Sequence, residues 1–365
     1  MNSVLTTQSL DNHITKTLLR VLSRTALAAV TLIAMPTGSG ATTNSDVAKD
    51  MAYVPFSMSV IGIDKKSEGD THQKLENPTL YKQRMSMPWS RDAFHDEGPS
   101  HWVVIDAYMI DKFEVSNKKF ENFMKATGHP APAYWDDPRL NKPEQPVVGV
   151  NYSDATTYCK WEGKRLPTEA EWETAARGPE GYRYPWGNTL DASKANYGKR
   201  HRATMPVDSL PDGVSSYGLH HMAGNVFEWV QDWYDPKFYK KLPHPVNTNG
   251  PSKPIWLGGT GTYVDRLTTG AKRVIRGGSW IAAEASITTT HRFWNNPMNN
   301  SYGVGLGFRC AKSASQKVVD QVRSLTIAAM KHMGEEQYMK AKRDIEKALK
   351  IDPTNQELIQ MMSLL

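Results

Sequence analysis

Apolar and polar positions change rhythm several times along this chain. "TALAAVTLIAM", from Thr25 to Met35, is an unbroken apolar run behind Lys16, Arg20 and Arg24. "MAYVPFSMSVIG" reads as extended chain. From Asp64 to Ser100 the sequence is polar with scattered Pro and Gly, the pattern of a surface loop, and Asp92, His95, Asp96 and Glu97 are expected to be solvated there. Strand-like alternation follows through Ile110. Three helices come next. Ser116 caps "NKKFENFMKA", which turns Phe120, Phe123 and Met124 inward. Ser153 caps the second, with Ala155, Tyr158, Cys159 and Trp161 inside and Gly163 at its end. Thr168 caps the third, with Glu171 three residues on as a capping box, Pro167 ahead of the cap and Gly178 closing it. Up to residue 312 the chain is then rich in Gly, Trp, Asn and Pro, which predicts short strands and long ordered loops. Beyond Val318 helical periodicity returns. Tyr338, Ala341, Ile345 and Ala348 fall on one face, Lys340, Arg343, Asp344 and Lys347 on the other, and Pro353 stops the helix.

The basic N-terminal region, its short apolar run and the small residues of "PTGSGA" form the pattern of a cleaved signal peptide over residues 1–41. The run is too short to span a bilayer, and no cysteine stands directly behind it to carry a lipid. The expected location is therefore periplasmic or secreted, with no membrane span in the mature chain. The 365 residues, 22% charged and 39% hydrophobic, suit a large domain with a smaller appendage, or two domains. With 22 Pro and 11 Trp, a loop-heavy aromatic fold fits better than a helical bundle. The formal charge is +6, but no Lys/Arg block of the kind that marks a nucleic-acid patch is present, and no nucleic-acid partner is expected. Cys159 and Cys310 are the only cysteines. In an exported protein two cysteines most often form one disulfide, the alternative being two buried thiols. Such a bridge would close a loop worth roughly 4–5 kcal/mol in the chain-entropy picture.

"DKFEVSNKKFENFM", "PVVGVNYSDATTYCKWEGKRLPTEAEWETAARG", "YPWGN", "PVDSLPDGVSSYGLHHMAGNVFEWVQDW" and "RVIRGGSW…GFRCA" occur in this order between about Met51 and Lys312. Together they resemble the formylglycine-generating enzyme (sulfatase-modifying factor) family. The resemblance implies an α+β, C-type-lectin-like fold with little regular secondary structure over residues 42–312. The segment 318–365 resembles a tetratricopeptide repeat, a helical unit that a lone copy cannot bury by itself. The family's best-known activity converts a sulfatase cysteine to formylglycine with O₂ and a copper ion held by two cysteines. At the matching positions this chain has Ala282 and Ile287. Neither offers the soft thiolate that Cu(I) needs, so copper and cysteine oxidation are not expected. The resemblance pairs Cys159 with Cys310 as a structural disulfide. It matches a second family disulfide to Ala176 and Arg292, where none can form.

It also implies a calcium site using the carbonyls of Gly224 and Val226 and the carboxylate of Glu228. His221 stands at its fourth position, where imidazole is a poor calcium ligand. Another calcium site would use Asn196 and the Tyr197 carbonyl, but "GKRHRATMP" lacks its acidic partner. The adjacent His220 and His221, read as strand neighbours, would face opposite ways and make no joint metal site. Some family members without the cysteines oxidise small molecules with an acid in the pocket. That makes Glu284, with His291, the candidate catalytic pair; otherwise Glu284 is paired with an arginine such as Arg292. The expectation is an exported binding or accessory module in an envelope complex, docking a protein partner through the C-terminal repeat, with a small-molecule site near Trp280 and Phe227. The alternatives are a non-copper oxidoreductase acting through Glu284 and a structural envelope component.

Overall fold

The computed structural model describes residues 50–64, 96–242, 246–247, 250–251, 253–254, 270–298, 303–353 and 355–365. The expected signal peptide, Asp92 and His95 lie outside them. The chain divides into two compact units. The larger spans Ala48–Val54 and Met58–Ser313, and the smaller includes Pro55–Ser57 and Ala314–Leu365.

The larger unit holds three small sheets. β1 (Met51–Val54) and β10 (Ala311–Ser313) flank β4 (Tyr108–Asp111), both antiparallel to it. β3 (His101–Ile105) lies between β2 (Ser57–Ile61) and β6 (Val246–Asn247). The third sheet has the order β8-β7-β5-β9, built from β5 (Phe227–Trp233), β7 (Arg273–Arg276), β8 (Phe293–Asn295) and β9 (Leu306–Gly307). Strand alternation is as the sequence foretells: His101, Val103 and Ile105 of β3 are buried and the residues between them are not.

Three helices and their ends follow local chemistry. Ser116 caps α1 (Asn117–Thr127), accepting from the Lys119 N–H, and Gly128 ends it in the left-handed region. α2 (Tyr152–Trp161) is capped by Asn151 rather than Ser153, because Asn151 and Asp154 form a reciprocal capping box. Trp161, expected inside, is 43% exposed. Thr168 and Glu171 form the expected box on α3 (Glu169–Arg177), and Gly178 closes it. A short helix, α4 (Phe238–Lys241), follows β5.

Around α1 and α2 the core is aromatic. Phe120 stacks on Tyr158 at 5.7 Å between ring centres, and Phe308 meets Tyr158 edge-on at 5.4 Å. This cluster encloses a disulfide between Cys159 and Cys310, with a Cα–Cα distance of 5.6 Å. The two buried free thiols left open as an alternative are thereby ruled out.

In the smaller unit α5 (Gln316–Gly334), α6 (Tyr338–Ile351) and α7 (Gln356–Ser363) succeed one another, one helix more than the expected hairpin. Ala341, Ile345 and Ala348 are fully buried, as their spacing requires, but Tyr338 is 52% exposed. Pro353 follows the end of α6. Asn355 caps α7 and also donates to the Phe56 carbonyl, tying α7 to the Pro55–Ser57 segment. Among the described residues no helix is long and apolar enough to cross a membrane.

Candidate functional site

The centre of interest is the turn after β7, Gly277-Gly278-Ser279-Trp280. Gly278 has φ 75°, and a Cβ there would sit 2.6 Å from the Ser286 carbonyl oxygen, so only glycine fits. The turn is bonded to a second one: Gly224 N–H donates to the Gly277 carbonyl and Trp280 N–H to that of Asn225, both at 2.8 Å. The Trp280 indole N–H donates to the Val304 carbonyl at 2.6 Å. Trp280 is buried with Leu140, Val148 and Val226, and Phe227 stacks on Phe293.

Ala282 and Ile287 enter separate apolar clusters. Ala282 packs against the group holding Phe227, while Ile287 is fully buried among Tyr184, Ala195, Tyr197 and Ala223. Hydrocarbon thus fills the second position and a methyl group stands at the first. These residues do not fit a copper ion.

Three fully buried arginines organise the surroundings. Arg276 holds the Glu173 carboxylate at 2.5 Å and donates to the carbonyls of Thr289, Thr290 and His291. Arg292 takes both oxygens of Glu169, at 2.7 and 2.9 Å. Arg292, offered as one arginine that could pair with Glu284, thus has Glu169 as its carboxylate partner. Arg309 takes both oxygens of Glu228, each at 2.7 Å.

That last pair decides the calcium expectation. Besides Arg309, the Glu228 carboxylate accepts the Trp172 indole N–H at 2.9 Å. Both oxygens of that carboxylate are thus engaged by a guanidinium rather than left free for a metal ion. His221 lies in a tight turn at φ 55° rather than on a strand, and its Nε2 is 3.1 Å from both Ser209 Oγ and the Pro206 carbonyl. Burial pulls its pKa down to about 3, from an ordinary 6.5. Its contribution to stability is therefore present above about pH 6.5 and is lost as the pH falls toward 3. Gly224, Val226 and Glu228 do not fit a calcium ion in this arrangement. Close by, Glu114 accepts from Asn225 Nδ2 at 2.6 Å and from the Val226 N–H at 3.2 Å. Burial, and then the nearby Glu228 charge, hold its carboxyl well above the usual range.

The candidate catalytic residues have different surroundings. Glu284 opens a one-turn 3-10 helix and is half-buried. Its charge adds to burial in raising the Tyr197 phenol. His291 is buried and sits with Nδ1 3.1 Å from Glu97 Oε1. Asp96 and Glu97, expected in water, are 1% and 7% exposed. Glu97 also accepts from Thr290 Oγ1 at 2.8 Å, and Asp96 accepts from the Tyr234 hydroxyl at 2.6 Å.

Residues 79–314 match the sulfatase-modifying factor enzyme 1-like domain family. The chain belongs to that family. The formylglycine-generating enzyme of Streptomyces coelicolor is 34% identical over 281 residues, a match covering 60% of this chain and 82% of that protein. The serine/threonine-protein kinase Pkn1 of Chlamydia trachomatis is 36% identical over 244 residues, covering 61% of this chain. The match takes in only 36% of that protein's own length. Among solved structures, PvdO from Pseudomonas aeruginosa aligns with a TM-score of 0.52 at 24% identity, covering 76% of this chain and 100% of PvdO, a likeness of fold.

This sulfatase-modifying-factor domain carries a pH dependence that its buried acids dictate. Burial raises Asp96 to about 7, against which Arg292 and the Tyr234 hydroxyl pull only in part. Asp232, which accepts the Glu169 N–H at 2.7 Å, is likewise raised to about 7 by burial and then by the Glu169 charge. The folded protein therefore keeps these protons where the unfolded chain has lost them. Their stabilisation is complete below about pH 4 and is lost as the pH rises through about 7. Asp96→Asn keeps an acceptor for Tyr234 but cannot ionise. Relative to the parent it should gain on the order of 3 kcal/mol between pH 4 and pH 8. Urea unfolding of both proteins across that range checks this, and a constant difference between them would refute it.

Proposed function

We propose that this protein is a member of the family without cysteine-oxidase activity, exported to the periplasm or beyond, which serves as a binding or accessory module in an envelope protein complex. In this reading the C-terminal helices α5–α7 take a protein partner, and the domain contributes recognition rather than oxidation. The observation that carries it is the burial of Ile287 within an aromatic cluster, with Ala282 packed in another. A copper ion would find a side-chain methyl group at one thiolate position and close-packed hydrocarbon at the other.

The test is direct. The purified protein, with copper supplied under air, is incubated with a peptide carrying a sulfatase cysteine motif and the peptide is weighed by mass spectrometry. No aldehyde above the protein-free control is expected. Formylglycine formed in proportion to protein added would overturn the reading.

A further inference from the structure

Beside the Trp280 turn runs a loop that the function so far leaves unused, Lys199-Arg200-His201-Arg202. All four side chains are exposed. The loop is closed at its neck by Asn196, whose Nδ2 donates to the Ala203 carbonyl at 3.0 Å. One flank is fastened to the turn: Gly198 N–H donates to the Ala282 carbonyl at 2.9 Å and Lys199 N–H to the Trp280 carbonyl at 2.6 Å. Internally, Arg202 N–H donates to the Lys199 carbonyl at 3.2 Å. Lys199 and Arg202 adopt φ 62° and 58°, a left-handed backbone that side-chain-bearing residues adopt at a cost and hold only where surrounding bonds fix it.

The cations are not consumed by the fold. Arg200 lies over the Tyr197 ring at 4.2 Å and reaches the Ala192 carbonyl at 3.3 Å, which orients it without neutralising it. Among the described residues no salt bridge holds Lys199, His201 or Arg202. Like charges set side by side on a fixed backbone repel, and an anion that spans them relieves that repulsion.

We propose that this loop is the recognition surface for an acidic polypeptide segment of the partner, rich in Asp and Glu, laid along Lys199–Arg202 beside the Trp280 turn. This rests on the proposed accessory role and names the chemistry of its partner. An extended peptide suits the feature, because successive carboxylates reach successive cations along one short loop and Arg200 is already oriented on Tyr197. A nucleic acid would need a wider basic surface with aromatic faces open for stacking, whereas the Trp280 ring here is buried with Leu140 and Val148.

Fluorescence anisotropy of the full chain with a labelled oligoglutamate peptide tests the proposal, with oligolysine, a thymidine oligonucleotide and anionic phosphatidylglycerol vesicles in parallel. Oligoglutamate should bind, and bind more weakly at about 300 mM than at about 50 mM salt. Lys199→Ala/His201→Ala/Arg202→Ala should weaken binding roughly tenfold or more. Lys199→Glu/Arg202→Glu should abolish it while leaving the melting temperature unchanged, since these side chains are exposed. A triple variant that binds like the parent overturns the proposal, as does absence of oligoglutamate binding or tighter binding of the oligonucleotide or the vesicles. The accessory reading fails separately: formylglycine in the peptide assay would sink it whatever the loop binds.

Discussion

Arg309→Met should cost the fold roughly 3–5 kcal/mol, the range for removing one partner of a buried ion pair. All five guanidinium N–H groups of Arg309 are engaged. They meet both oxygens of Glu228 and the carbonyls of Asp111, Lys112 and His220. Without the guanidinium, Glu228 is a fully buried carboxylate left with the Trp172 indole and an adjacent acid, Glu114. Adding Glu228→Gln removes that stranded charge and keeps an acceptor for Trp172. The double variant should therefore be more stable than the sum of the two single changes predicts. Urea unfolding of the four proteins in the cycle measures this. A loss below about 1 kcal/mol for Arg309→Met would show that the pair does not organise the Gly224–Glu228 turn.

Converting both Cys159 and Cys310 to Ser should lower stability by roughly 2–5 kcal/mol. The bridge joins residues 151 apart in sequence, so it removes much of the unfolded chain's freedom. It is also enclosed by Tyr158, Phe120 and Phe308, and two hydroxyls in their place would sit in an apolar core. Alkylation of the native, oxidatively expressed protein should find no free thiol. Two reactive thiols in the folded protein, or a double variant as stable as the parent, would contradict the structure.

What the sequence made legible was mostly local. The Thr168–Glu171 box needs only residues three apart, and the buried Ala341, Ile345 and Ala348 need only helical spacing. Ser153 was misread as a cap because Asn151, two residues earlier, offers the same chemistry and has Asp154 to reciprocate. Asp96 and Glu97 were misread for a different reason. Their neighbours in sequence are polar, and what takes them out of water is long-range: Tyr234 lies 138 residues away, and Thr290 and His291 lie 193 and 194 away. No local pattern encodes such partners. Glu228 stood out through the family phrase as a calcium-ligating carboxylate, but its actual cation did not, because Arg309 is 81 residues distant. The basic loop was in plain view, yet only the bonds from Gly198 and Lys199 to Ala282 and Trp280 place it beside the turn.

The sheet formed by β1, β4 and β10 determines how the larger unit meets mechanical load. β1 begins opposite Asp111, at one end of β4, and β10 finishes opposite Tyr108, at the other. Both run antiparallel to β4, so tension applied where the chain enters and leaves draws β1 and β10 in opposite directions along the strand axis. The hydrogen bonds on the two sides of β4 are then loaded together in shear, not peeled one after another. Just before β10, the Cys159–Cys310 bond shortcuts the chain between those residues and limits how far it can be drawn out. A pull between its two ends therefore meets strands loaded in shear on both sides of β4 rather than strands peeled apart.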